Sequence, residues 1–188
     1  MPLTLLLGGA RSGKSALAAR LAGRWPGPVA VVATGQAGDA EMAGRIRRHR
    51  AERPGHWTTV EEPLALEAAL AKASGESFVV LDCLTLWVAN LLERDLDDAQ
   101  VLERAGSAAA AAAARAAPTV AVSNEVGLGI VPASAVARRY RDLLGQVNAV
   151  WAGAADHTLL LVAGRALPLL DPLTVLDAAP GDRAARDA

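Results

Sequence analysis

The sequence predicts an α/β protein, a mostly parallel sheet flanked by helices on both faces. Three observations predict it. Short apolar runs of strand length, at 3–7, 29–33, 77–81, 119–122 and 158–163, alternate with longer stretches of helical pattern. The first run leads straight into Gly8-Gly9-Ala10-Arg11-Ser12-Gly13-Lys14-Ser15, which fits G-x-x-x-x-G-K-[ST] with a helical pattern immediately after it. Several strand runs end in polar or small residues (Thr34-Gly35-Gln36, Asp82, Asn124-Glu125-Val126), and such sheets bind ligands at the carboxyl ends of their strands.

Each element has its own justification. Residues 3–7 read as a buried strand, and the phosphate-binding loop after them makes the sheet one of P-loop NTPase type. Gly8 and Gly13 allow backbone angles that a side chain forbids, so the loop can curl around an anion. Its N–H groups then converge on phosphates, and the helix at 16–22 adds its N-terminal dipole. Lys14 is expected to reach the β- and γ-phosphates, and the Ser15 hydroxyl to ligate Mg²⁺. Residues 29–33 form a second strand. Asp39 caps a helix that runs to about Arg53, where Pro54-Gly55 stops it. Residues 56–60 form a short extended piece, and Pro63 starts a helix through Leu70. The strand at 77–81 ends at Asp82, and residues 84–92 look helical. Residues 97–116 form an alanine-rich helix of high intrinsic propensity. The strand at 119–122 is followed by a glycine-containing loop over 124–132, a long amphipathic helix over 134–155, and a last strand at 158–163. Residues 1–170 are expected to form a single nucleotide-binding domain, and 171–188 a partly disordered tail.

Composition narrows the class. A chain of 188 residues suits one domain with a sizeable core, and its net charge of −1 gives no basic field for nucleic acid. The single cysteine, Cys83, excludes an internal disulfide and suggests a reducing compartment; it is expected in the core. The longest apolar stretch, 78–92, is interrupted by Asp82 and Asn90 and is too short to span a bilayer. The N-terminal apolar run is brief and lacks a basic flank, so no signal peptide is expected. These features point to a cytoplasmic protein without stable membrane insertion.

The candidate chemistry lies in a few residues. Asp82 follows an apolar strand, the Walker B pattern in which a carboxylate positions Mg²⁺; the same acid also reads as a cap of the next helix. The segment 45–53 carries five arginines and His49, and Arg45, His49 and Arg53 share one helical face. Three readings are open: a solvated basic face, a lid that neutralises a transferring phosphate, or a nucleophilic His49 that attacks phosphorus itself. Neighbouring cations would disfavour the imidazolium, and a nucleophile requires the neutral ring. His56 beside Trp57 reads as structural, and His157 has no assigned role. Glu61 and Glu62 precede a helix, where the helix dipole explains them. The glycines of 126–132 let a loop turn or line a substrate cleft.

Taken together these motifs resemble one family. The P-loop variant Gly8 to Ser15, the run Glu41-Met42-Ala43-Gly44-Arg45-Ile46 leading to His49 and Arg53-Pro54-Gly55-His56-Trp57, and Asp82-Cys83-Leu84-Thr85 with Asn90-Leu91-Leu92 all match it. So does Ser123-Asn124-Glu125-Val126-Gly127-Leu128-Gly129-Ile130-Val131-Pro132, followed by Arg138, Tyr140, Arg141, Asp142, Gly145 and Asn148. Over about 3–165 the chain resembles the bifunctional adenosylcobinamide kinase/adenosylcobinamide-phosphate guanylyltransferase family of cobalamin assembly and salvage. The resemblance implies that ATP or GTP first phosphorylates the aminopropanol hydroxyl of adenosylcobinamide. GMP then passes from GTP to that phosphate through a guanylylated histidine, for which the matching residue is His49. It also implies nucleotide contacts from Gly8, Gly9, Ala10, Arg11, Ser12, Gly13, Lys14, Ser15, Thr34, Gly35, Gln36, Arg50, Ala51, Glu52, Arg53, Glu61 and Asp82, Mg²⁺ at Ser15 and Asp82, and a homotrimer. Gly35 stands where members often carry serine or alanine, and Asp82 where some carry glutamate.

Two other readings compete. A plain small-molecule kinase with an arginine lid would transfer the γ-phosphate without a covalent nucleotide. A nucleotide-dependent switch would bind partners, but the guanine-reading N-K-x-D is absent, since neither Lys14 nor Lys72 follows an asparagine. The helix carrying His49 is expected to move between the two reactions, because its arginines would meet different phosphates in each.

Overall fold

A computed structural model describes residues 2–177. The elements run β1 (Leu3–Gly8), α1 (Lys14–Ala22), β2 (Val29–Ala33), α2 (Ala40–Ala51), β3 (Thr58–Glu61), α3 (Leu66–Lys72), β4 (Phe78–Asp82), α4 (Leu84–Leu92), α5 (Asp98–Ala113), β5 (Thr119–Val122), α6 (Ala135–Ala154), β6 (His157–Val162), β7 (Arg165–Leu169) and α7 (Pro172–Asp177). Seven strands form one sheet in the order β3-β2-β4-β5-β1-β6-β7. All pairings are parallel except β6–β7, which is antiparallel. The predicted α/β architecture is the observed one.

Strand periodicity divides the core into two layers. Leu3, Leu5 and Leu7 face one side of the sheet with Ala30, Val32, Val79, Leu81 and Ala121, and α3 to α6 cover them. Leu6 faces the other side with Val29, Val31, Phe78, Val80, Val120 and Val122, beneath α1. Each fully buried Leu or Val contributes about 1.5–3 kcal/mol, so continuous apolar runs in a sheet covered on both faces are the expected solution. Trp87 and Trp151 fill the thicker layer.

Caps set the helix ends. Asp39 Oδ1 accepts from the Met42 N–H at 2.7 Å and starts α2, as its sequence predicts. Asp97 and Gln100 form a reciprocal capping box at α5. At α3 the structure differs from the sequence reading. The helix begins at Leu66 and not at Pro63, because Glu62 Oε1 accepts from the N–H groups of Leu64 and Ala65 and closes a separate turn first. Helix α1 in turn begins at Lys14, inside the P-loop motif, and β3 begins two residues later than expected.

The strand at 157–162 is not the last. Ala163 and Gly164 both take positive φ (51° and 74°), which suits a tight hairpin, and β7 returns antiparallel along β6. Every residue of β7 is exposed, so burial leaves no periodic signal in it. Residues 172–177 of the expected tail form the short helix α7, with Asp171 Oδ1 accepting from the Leu173 N–H at 2.8 Å. The rest of that tail, 178–188, lies outside the described residues. Among the described residues no helix is long and apolar enough to cross a membrane.

Candidate active site

The carboxyl ends of β1, β2, β4 and β5 lie side by side, and the loops after them bound two adjoining cavities. The smaller, of about 260 Å³, is walled by Ala10 to Ala16, Arg45, His49, Asp82, Cys83, Val122 and Asn124. The larger, of about 450 Å³, is walled by Gly35, Gln36, Met42, Ile46, Pro63 and Leu86 on its less polar side, and by Arg45, His49, Arg50, Arg53, Glu61 and Asp82 on its charged side. Arg45, His49, Asp82 and Cys83 belong to both. The sequence distance between the P-loop and α2 thus closes into one site.

Glycine geometry explains the loop. Gly8 takes φ +147° and Gly13 takes φ +101°, conformations that L side chains rarely adopt. A Cβ on Gly8 would also lie 2.4 Å from the Leu161 carbonyl oxygen on the neighbouring strand. Lys14 is 6% exposed, and its ammonium donates to the carbonyls of Gly8 and Gly9, both at 2.7 Å, and to Ser12 Oγ at 3.3 Å. Burial lowers its pKa. These carbonyl contacts hold the ammonium at the loop, beside the cavity that a phosphate chain would fill.

Asp82 is the charge centre. Its Oδ2 lies 3.5 Å from His49 Nδ1 and 3.8 Å from Arg53 Nη2. Burial lowers the pKa of the Arg53 guanidinium, and Asp82 opposes that shift. Arg50 pairs with Glu61 at 3.1 Å on the rim, where both are exposed. Arg47 and Arg48 point to solvent and line neither cavity. The basic segment is therefore only partly a solvated face.

The turn after β4 is anchored from below. Thr34 Oγ1 donates to the Cys83 carbonyl at 2.7 Å and accepts from the Cys83 N–H at 2.9 Å. Asn90 Nδ2 donates to the carbonyls of Thr34 and Pro63 at 2.8 and 3.1 Å. Burial pushes the Cys83 thiol up to about 11, so it stays protonated at neutral pH.

Most expected nucleotide residues meet here, and some do not. Ala10 to Ser15, Gly35, Gln36, Arg50, Arg53, Glu61 and Asp82 line one of the two cavities. Thr34 does not: it is fully buried, with its hydroxyl committed to Cys83, so its part is to brace the wall. Gly8 and Gly9 contribute carbonyls to Lys14 and line neither cavity. Ala51 lines neither, since it lies about 200° round the helix from His49. Glu52 lines only a hollow of about 140 Å³ behind His49. His56 and His157 are exposed and absent from both walls. The sequence reading left unassigned the apolar wall of Met42, Ile46 and Leu86, whose only signal is their place beside the charged positions.

The donor set suits a hard cation. Ser15 and Asp82 share the 260 Å³ cavity, and both contacts of Asp82 use Oδ2, which leaves Oδ1 for a cation. Among the described residues no group of three or more His, Cys, Asp or Glu side chains could hold a metal by itself. A hydroxyl and a carboxylate oxygen in one cavity would fit Mg²⁺, which takes one or two protein ligands and completes its shell with substrate phosphates and water.

Known proteins resemble this chain over most of its length. The profile of the family described as cobinamide kinase / cobinamide phosphate guanyltransferase matches residues 4–169. The chain is 46% identical over 167 residues to the bifunctional adenosylcobalamin biosynthesis protein CobP of Pseudomonas aeruginosa, covering 88% of this chain and 95% of that protein. It is 43% identical over 175 residues to the bifunctional adenosylcobalamin biosynthesis protein CobU of Escherichia coli, covering 86% and 96%. The protein of that name from Salmonella typhimurium is 41% identical over the same length.

Proposed function

The chain belongs to the cobinamide kinase / cobinamide phosphate guanyltransferase family, and from that premise we propose how its one site performs both reactions. The observation that carries the proposal is His49 standing on the wall shared by the two cavities, with Nδ1 turned to Asp82 at 3.5 Å. The chain phosphorylates the hydroxyl of adenosylcobinamide with ATP or GTP, then transfers GMP from GTP to the resulting phosphate.

Residue roles follow from position. The P-loop amides and Lys14 hold the phosphate chain. The larger cavity, apolar on one side, takes the nucleoside, with Gly35 and Gln36 at the sheet edge. The Asp82 carboxylate favours the imidazole tautomer protonated at Nδ1, which leaves the lone pair of Nε2 as the nucleophile. In the second reaction Nε2 bonds to the α-phosphorus of GTP. The bond from that phosphorus to the bridging oxygen breaks, and the electron pair leaves on pyrophosphate. Arg45 and Arg53 offset the charge on the α-phosphate. A phosphate oxygen of the acceptor then attacks, and the P–N bond returns its pair to the ring. Ser15 and Asp82 would hold Mg²⁺, which neutralises phosphate charge when bound.

Full-length protein given adenosylcobinamide, Mg²⁺ and GTP should yield first the phosphate and then adenosylcobinamide-GDP with stoichiometric pyrophosphate, and EDTA should stop both steps. Accumulation of the phosphate alone would favour the plain kinase with an arginine lid.

Residues 1–170 act as one catalytic domain in this reading, and use of ATP and GTP supports a cytoplasmic location; fractionation of the native cells tests it. The homotrimer implied by the family resemblance would use apolar side chains left open at one end of the sheet. Leu167, Leu169, Leu170, Leu173 and Leu176 are exposed along β7 and α7, and β7 is an edge strand. Sedimentation should give three times the 19.3 kDa chain mass; a monomer at micromolar concentration would overturn the trimer.

A further inference from the structure

We infer that Asn124 binds the acceptor end of the corrinoid substrate in both reactions, first as an alcohol and then as a phosphate monoester; the inference rests on the two-step reading above. Asn124 sits two residues past β5 on the wall of the 260 Å³ cavity, which it shares with Lys14, Ser15, Arg45, His49 and Asp82. Its main chain is held from both sides. Thr85 Oγ1 accepts from its N–H at 2.8 Å, and Asn148 Nδ2 donates to its carbonyl at 3.0 Å. Those two side chains are braced in turn. Ser123 Oγ donates to Asn148 Oδ1 at 2.6 Å, and the Tyr140 hydroxyl donates to the Thr85 carbonyl at 3.1 Å. Every hydrogen bond of Asn124 among the described residues runs through its main chain. A loop residue so fixed, with its carboxamide unused, is placed to serve a ligand.

The chemistry of the acceptor selects this group. Between the two steps the acceptor changes from a neutral hydroxyl to an anionic phosphate. Arg11, Lys14 and Arg45 donate to phosphate but cannot accept from a hydroxyl. Asp82 accepts from a hydroxyl but repels phosphate. Ser12 Oγ is engaged by Lys14, and Ser15 is the residue proposed above to hold the cation. The Asn124 carboxamide is neutral, donates through nitrogen and accepts through oxygen, so it can hold either form without a change of charge. In the transfer itself an acceptor phosphate oxygen bonds to the α-phosphorus while the P–N bond to His49 breaks and its electron pair returns to the ring. Asn124 holds the phosphate and exchanges no proton.

Asn124→Asp tests the assignment, because the isosteric change leaves both main-chain contacts in place. The readouts are GMP label on the protein from GTP labelled at the α-phosphate, turnover with adenosylcobinamide, and turnover with adenosylcobinamide phosphate. Label is compared with that of the parent, and an unchanged urea midpoint certifies the fold. Phosphorylation of the hydroxyl should persist, while transfer to the phosphate should weaken by about tenfold or more through its KM. Asn124→Ala should weaken both acceptors, by roughly three- to tenfold each, with the KM for nucleotide unchanged. Loss of label together with transfer, or equal behaviour of Asn124→Asp toward both acceptors, would overturn the assignment. If the parent takes no label, the covalent reading fails on its own; Asn124 then stands or falls on whether Asn124→Ala raises KM for the alcohol alone.

Discussion

His49→Ala should abolish covalent GMP label and lower guanylyl transfer by about ten-thousand-fold or more, the scale of removing a nucleophile, while the kinase reaction stays within about tenfold of the parent. The asymmetry follows from what His49 does. In phosphoryl transfer to the hydroxyl the reacting phosphorus is held by the P-loop and Lys14, and the imidazole is only a neighbour. In the guanylyl transfer proposed above it supplies the bond-forming electron pair. The label should be acid-labile and alkali-stable, as a phosphoramidate is, and His56→Ala should keep it because His56 is exposed and outside both cavities. Persistent label in His49→Ala would remove His49 as nucleophile. Parallel loss of both activities would make it part of the nucleotide-binding wall instead.

Gly8→Ala should cost on the order of 3 kcal/mol of stability in urea denaturation and remove both activities. The new Cβ would meet the Leu161 carbonyl at 2.4 Å and Ser12 Oγ at 2.8 Å, on a residue held at φ +147°. Leu161 is the register partner of Gly8 in the β1–β6 pairing, so relief would require opening the sheet where it carries the P-loop. Gly9→Ala is the matched control. A Cβ there meets nothing within 4 Å, and its cost should stay within about 0.5 kcal/mol. Equal stability of the two variants would show that the P-loop tolerates a side chain at Gly8.

These expectations separate what the residue string can carry from what it cannot. The β2 and β5 runs were legible because each is a mainly apolar segment closed by a polar residue, and α4 occupies the helical stretch expected over 84–92. The hairpin partner β7 was not, since it buries nothing and its turn uses Ala163-Gly164 in place of an Asn-Gly signal. Pro63 advertised a helix start that Glu62 overrode with a local turn. In the site, the P-loop and Asp82 were readable from motif and strand end. The approach of His49 to Asp82 was not, because it depends on how α2 lies over the sheet edge. Thr34 carried a nucleotide expectation from the family resemblance, and in the structure its hydroxyl is committed to the backbone of Cys83.

Helix α2 has twelve residues and not one of them is fully buried. Isolated helices of about that length are marginal in water. His49 thus rides on a segment that the core does not hold, steadied by its Asp39 cap and by the Asp82 contacts. Any further ordering of α2 on binding would be subtracted from nucleotide affinity. Amide protons of α2 would exchange with solvent through local opening long before those of the central strands, and bound GTP would slow them selectively.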